Sequence, residues 1–127
     1  MNYKILATGS AGNAVVINDY MLIDCGVSLR SLSKVKKDLK IVLLTHIHSD
    51  HFNKTTIRRL AAERPTLRFA CCKWLTAELM SCGVSALNID QLQVGKLYNY
   101  GSFKLSPIKL YHDVDNCGWR IFIGSEK

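Results

Sequence analysis

Apolar residues in this chain come in short blocks, and the spacing within each block predicts its element. Residues 3–7 (YKILA) and 14–18 (AVVIN) read as strands, with TGSAGN as a polar turn between them. A third strand, 20–26 (YMLIDCG), follows Asn18-Asp19, and such tight connections predict an antiparallel meander. Leu29, Leu32 and Val35 recur at helical spacing with lysines opposite, so 28–38 reads as a helix with Ser28 as its N-cap. KIVLLTH (40–46) is a continuous apolar run with β-branched residues, the signature of a strand buried on both faces.

A second helix is predicted after Asn53, which can cap it while Phe52 and Ile57 form a hydrophobic staple. Its apolar face is Ile57, Leu60 and Ala61, and Pro65 stops it. LRFACC (67–72) reads as a strand, and KWLTAELMSC (73–82) as a short helix closed by Gly83. Strands are expected near 89–93, 97–100, 103–110 and 119–123, with Gly101-Ser102 as a hairpin turn. This order predicts one α/β layered domain, residues 1–127, with a mixed sheet and flanking helices.

Composition narrows the picture. Five cysteines, two of them adjacent and none in a CxxC pair, argue against a disulfide framework and for a reducing, cytoplasmic setting. No apolar run approaches the roughly 18 residues that span a bilayer, so no membrane association is expected. The formal charge of +7 is uneven: residues 1–68 hold eleven Lys/Arg against five Asp/Glu, and 69–127 hold six against five. A positive field favours an anionic partner such as a nucleotide or nucleic acid, although solvated helix faces account for the same charges. Aromatics are not interleaved with the basic segments, so those segments do not form a stacking platform for single strands.

Three of the four histidines fall within six positions, in LLTHIHSDHF (43–52). Residues i and i+2 at a strand end point to one side, so His46 and His48 can aim at one point. Asp50 and His51, on the turn beyond, can face a second point nearby. Imidazole and carboxylate together suit zinc, manganese or iron. Two clusters on one loop suit a pair of metals about 3.5–4 Å apart. The fourth histidine, His112, follows strand 103–110 and can complete a tripod with His46 and His48. A capped helix start or a surface loop would be the plain alternative, but an apolar strand running into HIHSDH places these groups at the C-terminal end of a sheet, where α/β proteins build sites.

THIHSDH resembles the HxHxDH motif of the metallo-β-lactamase-fold hydrolases. LIDCG (22–26) is similar to that family's strand ending in Asp, and LYHDVDNCGWRIFI to its later histidine segment. TGSAGNAVVI resembles the opening of the branch of phosphodiesterases and exonuclease-like enzymes, which includes phage enzymes that degrade cyclic pyrimidine nucleotides. The resemblance runs from residue 3 to 123 and implies the N-terminal half of an αββα sandwich. It implies that His46, His48 and His112 hold a first metal, that Asp50 and His51 belong to a second, and that Asp24 supports the histidine loop. One or two Zn²⁺ ions are expected, with Mn²⁺ an alternative. The family pattern also includes a later bridging Asp and a last His, which follow a strand like WRIFI. The sequence ends at Lys127 without them, so the C-terminal half of the sandwich is expected to be absent.

The expected chemistry is hydrolysis by metal-activated water, with Asp50 as the catalytic carboxylate orienting the nucleophile. A phosphoester of a nucleotide or nucleic acid is the expected substrate, because the positive charge fits an anion. Backbone N–H groups around Ser10, Gly12 and Asn13 can cradle a phosphate, with a plain β-turn as the other reading. Three alternatives to a complete enzyme follow from the missing ligands: a fragment of a longer enzyme, half of a split one completed by a second copy or a complementing C-terminal half, and a noncatalytic module binding nucleotide or a partner.

Overall fold

A computed structural model describes residues 2–110 and 114–124. Two sheets make up the frame. The first has six strands in sequential order: β1 (Tyr3–Ala7), β2 (Ala14–Ile17), β3 (Met21–Ile23), β4 (Ile41–Leu43), β5 (Arg68–Cys71) and β6 (Ile89–Gln91). The first three form the antiparallel meander, and β3 through β6 run parallel. The second sheet is β7 (Tyr98–Asn99), β8 (Phe103–Leu110) and β9 (Asn116–Ile123), all antiparallel. The expected mixed sheet is therefore the first of two.

Strand periodicity explains how both faces of the first sheet are filled. Ile41 and Leu43 of β4 join Ile17, Met21, Ala70, Phe103 and Leu105 in a core between the sheets. Val42 and the following Leu44 point the other way and join Leu22, Phe69, Ile57, Leu60 and Leu75 under the helices. A strand with apolar partners on both faces has no position for a polar residue, which is why the apolar run at 41–44 is unbroken.

Helix α1 (Lys54–Glu63) starts where Asn53 Oδ1 accepts the Thr56 N–H at 3.0 Å, and it buries Thr56, Ile57 and Leu60. The end of α2 (Lys73–Ser81) is set by Gly83, at φ 94°. Val84 N donates to Leu79 O at 3.1 Å and Gly83 N to Met80 O at 2.9 Å, a Schellman closure that needs the left-handed conformation.

Residues 28–38 do not form the expected single helix. Two 3₁₀ turns, Leu29–Leu32 and Lys36–Asp38, replace it. Ser28 does cap the first, accepting from Ser31 N. Ser31 and Ser33 lie inside this segment, and serine side chains favour non-helical conformations in which they can hydrogen-bond nearby backbone. Of the three residues at helical spacing, Leu32 and Val35 are buried in the core and Leu29 packs against it half-buried.

The third strand ends three residues earlier than expected. Asp24, at φ 62°, turns the chain out of β3 toward the histidine loop, and Cys25 forms a parallel bridge with Phe52. β9 is longer than expected because it pairs with all eight residues of β8.

Candidate metal centre

The loop 44–53 leaves the C-terminal end of β4 and enters α1. Its course is held from beneath by the segment Asp24–Gly26. Asp24 N donates to Leu43 O (2.7 Å), Cys25 N to His51 O (2.9 Å) and Asn53 N to Cys25 O (2.7 Å). The approach is so close that a Cβ on Gly26 would lie 1.9 Å from Asp50 O, so only glycine fits. Gly12 is similarly confined: its Cβ would meet Gly26 O at 2.6 Å.

Asp24 is buried, and its carboxylate organises the loop. Oδ1 accepts from Thr45 N (3.0 Å) and from Thr45 Oγ1 (2.9 Å), while Oδ2 lies 2.6 Å from His51 Nδ1. Thr45 Oγ1 is also 2.8 Å from His46 Nδ1. One proton arrangement satisfies this chain. Thr45 donates its hydroxyl hydrogen to Asp24, so it accepts from His46 Nδ1–H, and His51 Nδ1–H donates directly to Asp24. Both imidazoles then carry their lone pair on Nε2, as in the carboxylate–histidine pattern that orients metal ligands.

The rings are packed together. His46 and His48 have centroids 4.9 Å apart in an edge-on arrangement, and His46 and His51 are 4.2 Å apart. His48 O also accepts the N–H groups of His51 (2.8 Å) and Phe52 (2.9 Å), which turns the chain after it. Asp50 Oδ2 lies 3.7 Å from His51 Nε2. The hydrogen bond from Asp24 raises the His51 pKa above the ordinary histidine value; burial opposes this, and the charges of Asp24 and Asp50 add to it. Burial, with the adjacent Asp24 charge, pushes the Cys25 thiol up to about 12, so it stays protonated.

The β1–β2 turn reaches this loop through one side chain. Asn13 Nδ2 is 3.0 Å from Asp50 O and 3.1 Å from His51 Nε2, and it also donates to Gly9 O at 2.8 Å. Its Oδ1 accepts from Gly9 N at 3.1 Å. Asn13 is thus a strut between the turn and the histidine loop, while Ser10 sits exposed at the tip and Gly12 is buried. On the opposite side, Trp74 Nε1 donates to Thr45 O and Trp119 Nε1 to Leu44 O, both at 3.3 Å.

The structure therefore brings Asn13, Asp24, His46, His48, Asp50 and His51 together. His112 lies outside the described residues. Three contributors went unnoticed in the sequence: Thr45, Gly26 and Trp74. The signal for Thr45 was a hydroxyl between an apolar strand and the first histidine; for Gly26, it was the glycine closing LIDCG.

Residues 7–53, which hold Asn13, Asp24 and the whole histidine loop, match the sequence model of the Metallo-beta-lactamase superfamily. Over these residues the chain carries the sequence pattern of that superfamily. Exodeoxyribonuclease WalJ from two strains of Streptococcus pneumoniae, D39 and R6, is 36% identical over 124 residues, covering 87% of this chain and 45% of the relative. The chain thus spans about half the length of the curated relatives it matches. Among solved structures, the metallo-β-lactamase-fold protein YhfI from Bacillus subtilis superposes with TM-score 0.67 at 24% identity, over 90% of this chain and 50% of that one. A Cronobacter sakazakii metallo-β-lactamase gives 0.65 at 19%, over 97% and 57%, and the Rm3 metallo-β-lactamase 0.67 at 16%, over 99% and 56%. At these identities the structural likenesses establish the metallo-β-lactamase fold alone.

The donor set fits a cation in chemistry: buried Asp24 and Thr45 orient two imidazoles with Nε2 lone pairs, and Asp50 adds a carboxylate. Among the described residues, no three His, Cys, Asp or Glu side chains are already gathered around one point. Also among the described residues, no helix is long and apolar enough to cross a membrane.

Proposed function

We propose that this chain supplies the histidine-bearing part of a metal-dependent phosphodiesterase acting on nucleic acid. The observation that carries the reading is the Asp24–Thr45–His46 and Asp24–His51 network. It spends a buried carboxylate on fixing two imidazole tautomers with Nε2 as the electron donor, an arrangement a purely structural loop does not need. Support for the substrate comes from the exodeoxyribonuclease relatives and from the net charge of +7.

His46, His48 and His112 would hold a first ion and Asp50 with His51 a second, zinc or manganese suiting both sets. When bound, such an ion supplies Lewis acidity and lowers the pKa of water toward about 7. The chain's own residues do the rest. Asp24 and Thr45 hold the rings in place before any ligand arrives. Asn13 Nδ2 lies within reach of both Asp50 and His51 Nε2, so the β1–β2 turn must shift its carboxamide when His51 takes on a ligand. Asp50 would orient a nucleophile, and the exposed turn at Ser10 would meet a phosphate oxygen.

The test is metal-dependent cleavage of bis(p-nitrophenyl) phosphate and of single-stranded DNA by the full chain, with bound metal counted by elemental analysis. Cleavage with zinc or manganese that is lost in His48→Ala is the expected result. No turnover with either metal in excess refutes the hydrolase reading.

A further inference from the structure

A cleft of about 460 Å³ opens at the C-terminal ends of β5 and β6, beside the start of α2 and the strand β7. That volume suits a small organic ligand. Its wall combines two aromatic rings, Trp74 and Tyr98, two carboxamides, Gln91 and Gln93, and the ammonium-bearing Lys73.

Several of these groups are held in place. Thr76 Oγ1 donates to Gln91 Oε1 at 2.6 Å, which fixes the carboxamide with its amino group as the remaining donor. The Tyr98 hydroxyl accepts the Gln93 N–H at 2.8 Å, which fixes that ring. Trp74 donates to Thr45 O, so one wall of the cleft is bonded to the residue that precedes His46. Lys109 Nζ stands 5.0 Å from the Trp74 ring centroid and places positive charge beside it.

We propose that this cleft is a nucleobase subsite, taking the base of a nucleotide whose phosphate is directed at the histidine loop. The inference rests on the nucleic-acid reading above and deepens it. Aromatic rings stack on any base, because every base offers a π face. A fixed carboxamide can pair with the donor and acceptor atoms on a base edge. Lys73 supplies charge for a phosphate-bearing ligand at this margin, while Lys109 is paired with Asp115 at 3.5 Å.

Titration of the full chain in EDTA tests the subsite without any turnover, with tryptophan fluorescence and calorimetry as the readouts. The probes are dAMP, dTMP and deoxyribose 5-phosphate. Saturable binding of both mononucleotides is expected, with deoxyribose 5-phosphate at least about tenfold weaker. Trp74→Leu should weaken dAMP about tenfold, whereas Trp74→Phe, which keeps a ring, should retain most of the affinity. Gln91→Leu, at an exposed position, should weaken dAMP severalfold at unchanged thermal midpoint, and it decides the matter where Trp74→Leu fails to fold. Equal affinity for dAMP and deoxyribose 5-phosphate overturns the proposal, as does unchanged dAMP binding in Gln91→Leu. Cleavage without base-dependent binding removes only the subsite; base-dependent binding in a protein that never cleaves removes only the hydrolase reading.

Discussion

The two sheets of this molecule are built on different terms. Strands β3 to β6 are parallel and end together at one edge, where the histidine loop emerges, and β3 to β5 have apolar partners on both faces. Strands β7 to β9 are antiparallel and covered on one face. Phe103 and Leu105 face the first sheet, while Lys104, Arg120 and Phe122 are exposed. The second sheet reaches the loop through Trp119 Nε1 and the backbone N–H of Cys117, which donate to the carbonyls of Leu44 and Thr45. The first sheet thus defines the candidate centre and the second steadies its base. A fully buried parallel sheet tolerates little displacement, so its strand ends make a rigid platform, whereas a one-sided antiparallel sheet can adjust.

Substitutions can break this contrast at its strongest point. Phe69→Ala empties a fully buried position of the first sheet and should cost about 3–5 kcal/mol in urea unfolding, against about 2–3 kcal/mol for Phe103→Ala between the sheets. Equal losses would mean that the two sheets share one degree of rigidity. Gly26→Ala should cost about 3 kcal/mol, because its Cβ meets backbone at 1.9 Å. Gly118→Ala in β9 meets only side-chain carbons, the nearest at 3.4 Å, and should cost about 1 kcal/mol or less. A Gly26→Ala protein as stable as Gly118→Ala would show that the loop 50–51 moves freely.

Asp24→Asn sharpens the comparison at the centre itself. Asparagine tolerates the left-handed backbone at position 24, so what is lost is the carboxylate that accepts from Thr45 and His51. The expected outcome is about 1–2 kcal/mol of stability and a 10- to 100-fold drop in zinc affinity, read by competition with a chromophoric chelator. Unchanged affinity would remove Asp24 from the metal-orienting role.

The smallest effect concerns pH. His51 is raised above its ordinary pKa, first by the Asp24 hydrogen bond, so its proton stabilises the folded, metal-free protein. That stabilisation is complete below the unfolded histidine value of about 6.5 and disappears as pH rises through the higher folded value. Thermal midpoints in EDTA should therefore fall from pH 6 toward pH 8 relative to His51→Gln. Added zinc should reverse the slope, since protons compete for the same ring. A flat difference in both conditions would contradict the Asp24–His51 pairing.

Much of this frame was legible in the sequence because it is local. Short apolar runs, tight turns and helical spacing located the meander, β4, both helices and β8, and Asn53 and Gly83 marked helix ends through their own cap chemistry. Residues 28–38 misled because spacing reports burial, and a pair of 3₁₀ turns buries Leu32 and Val35 as well as a helix does. The sequence shows Asn13 as part of a polar turn, but its engagement with Asp50 and His51, 37 and 38 residues away, is encoded by no local pattern.

By itself, the sequence determined which donors are available: three imidazoles and a carboxylate in six positions after a doubly buried strand, since side-chain chemistry and strand periodicity are properties of neighbouring residues. The tertiary structure alone decided which of their atoms can donate electrons to a ligand. That depends on Asp24 arriving from a different strand at hydrogen-bonding distance of Thr45 and His51, and on Gly26 lacking the Cβ that would keep the two segments apart. Tautomers are set by partners, and here the partner is brought in by folding.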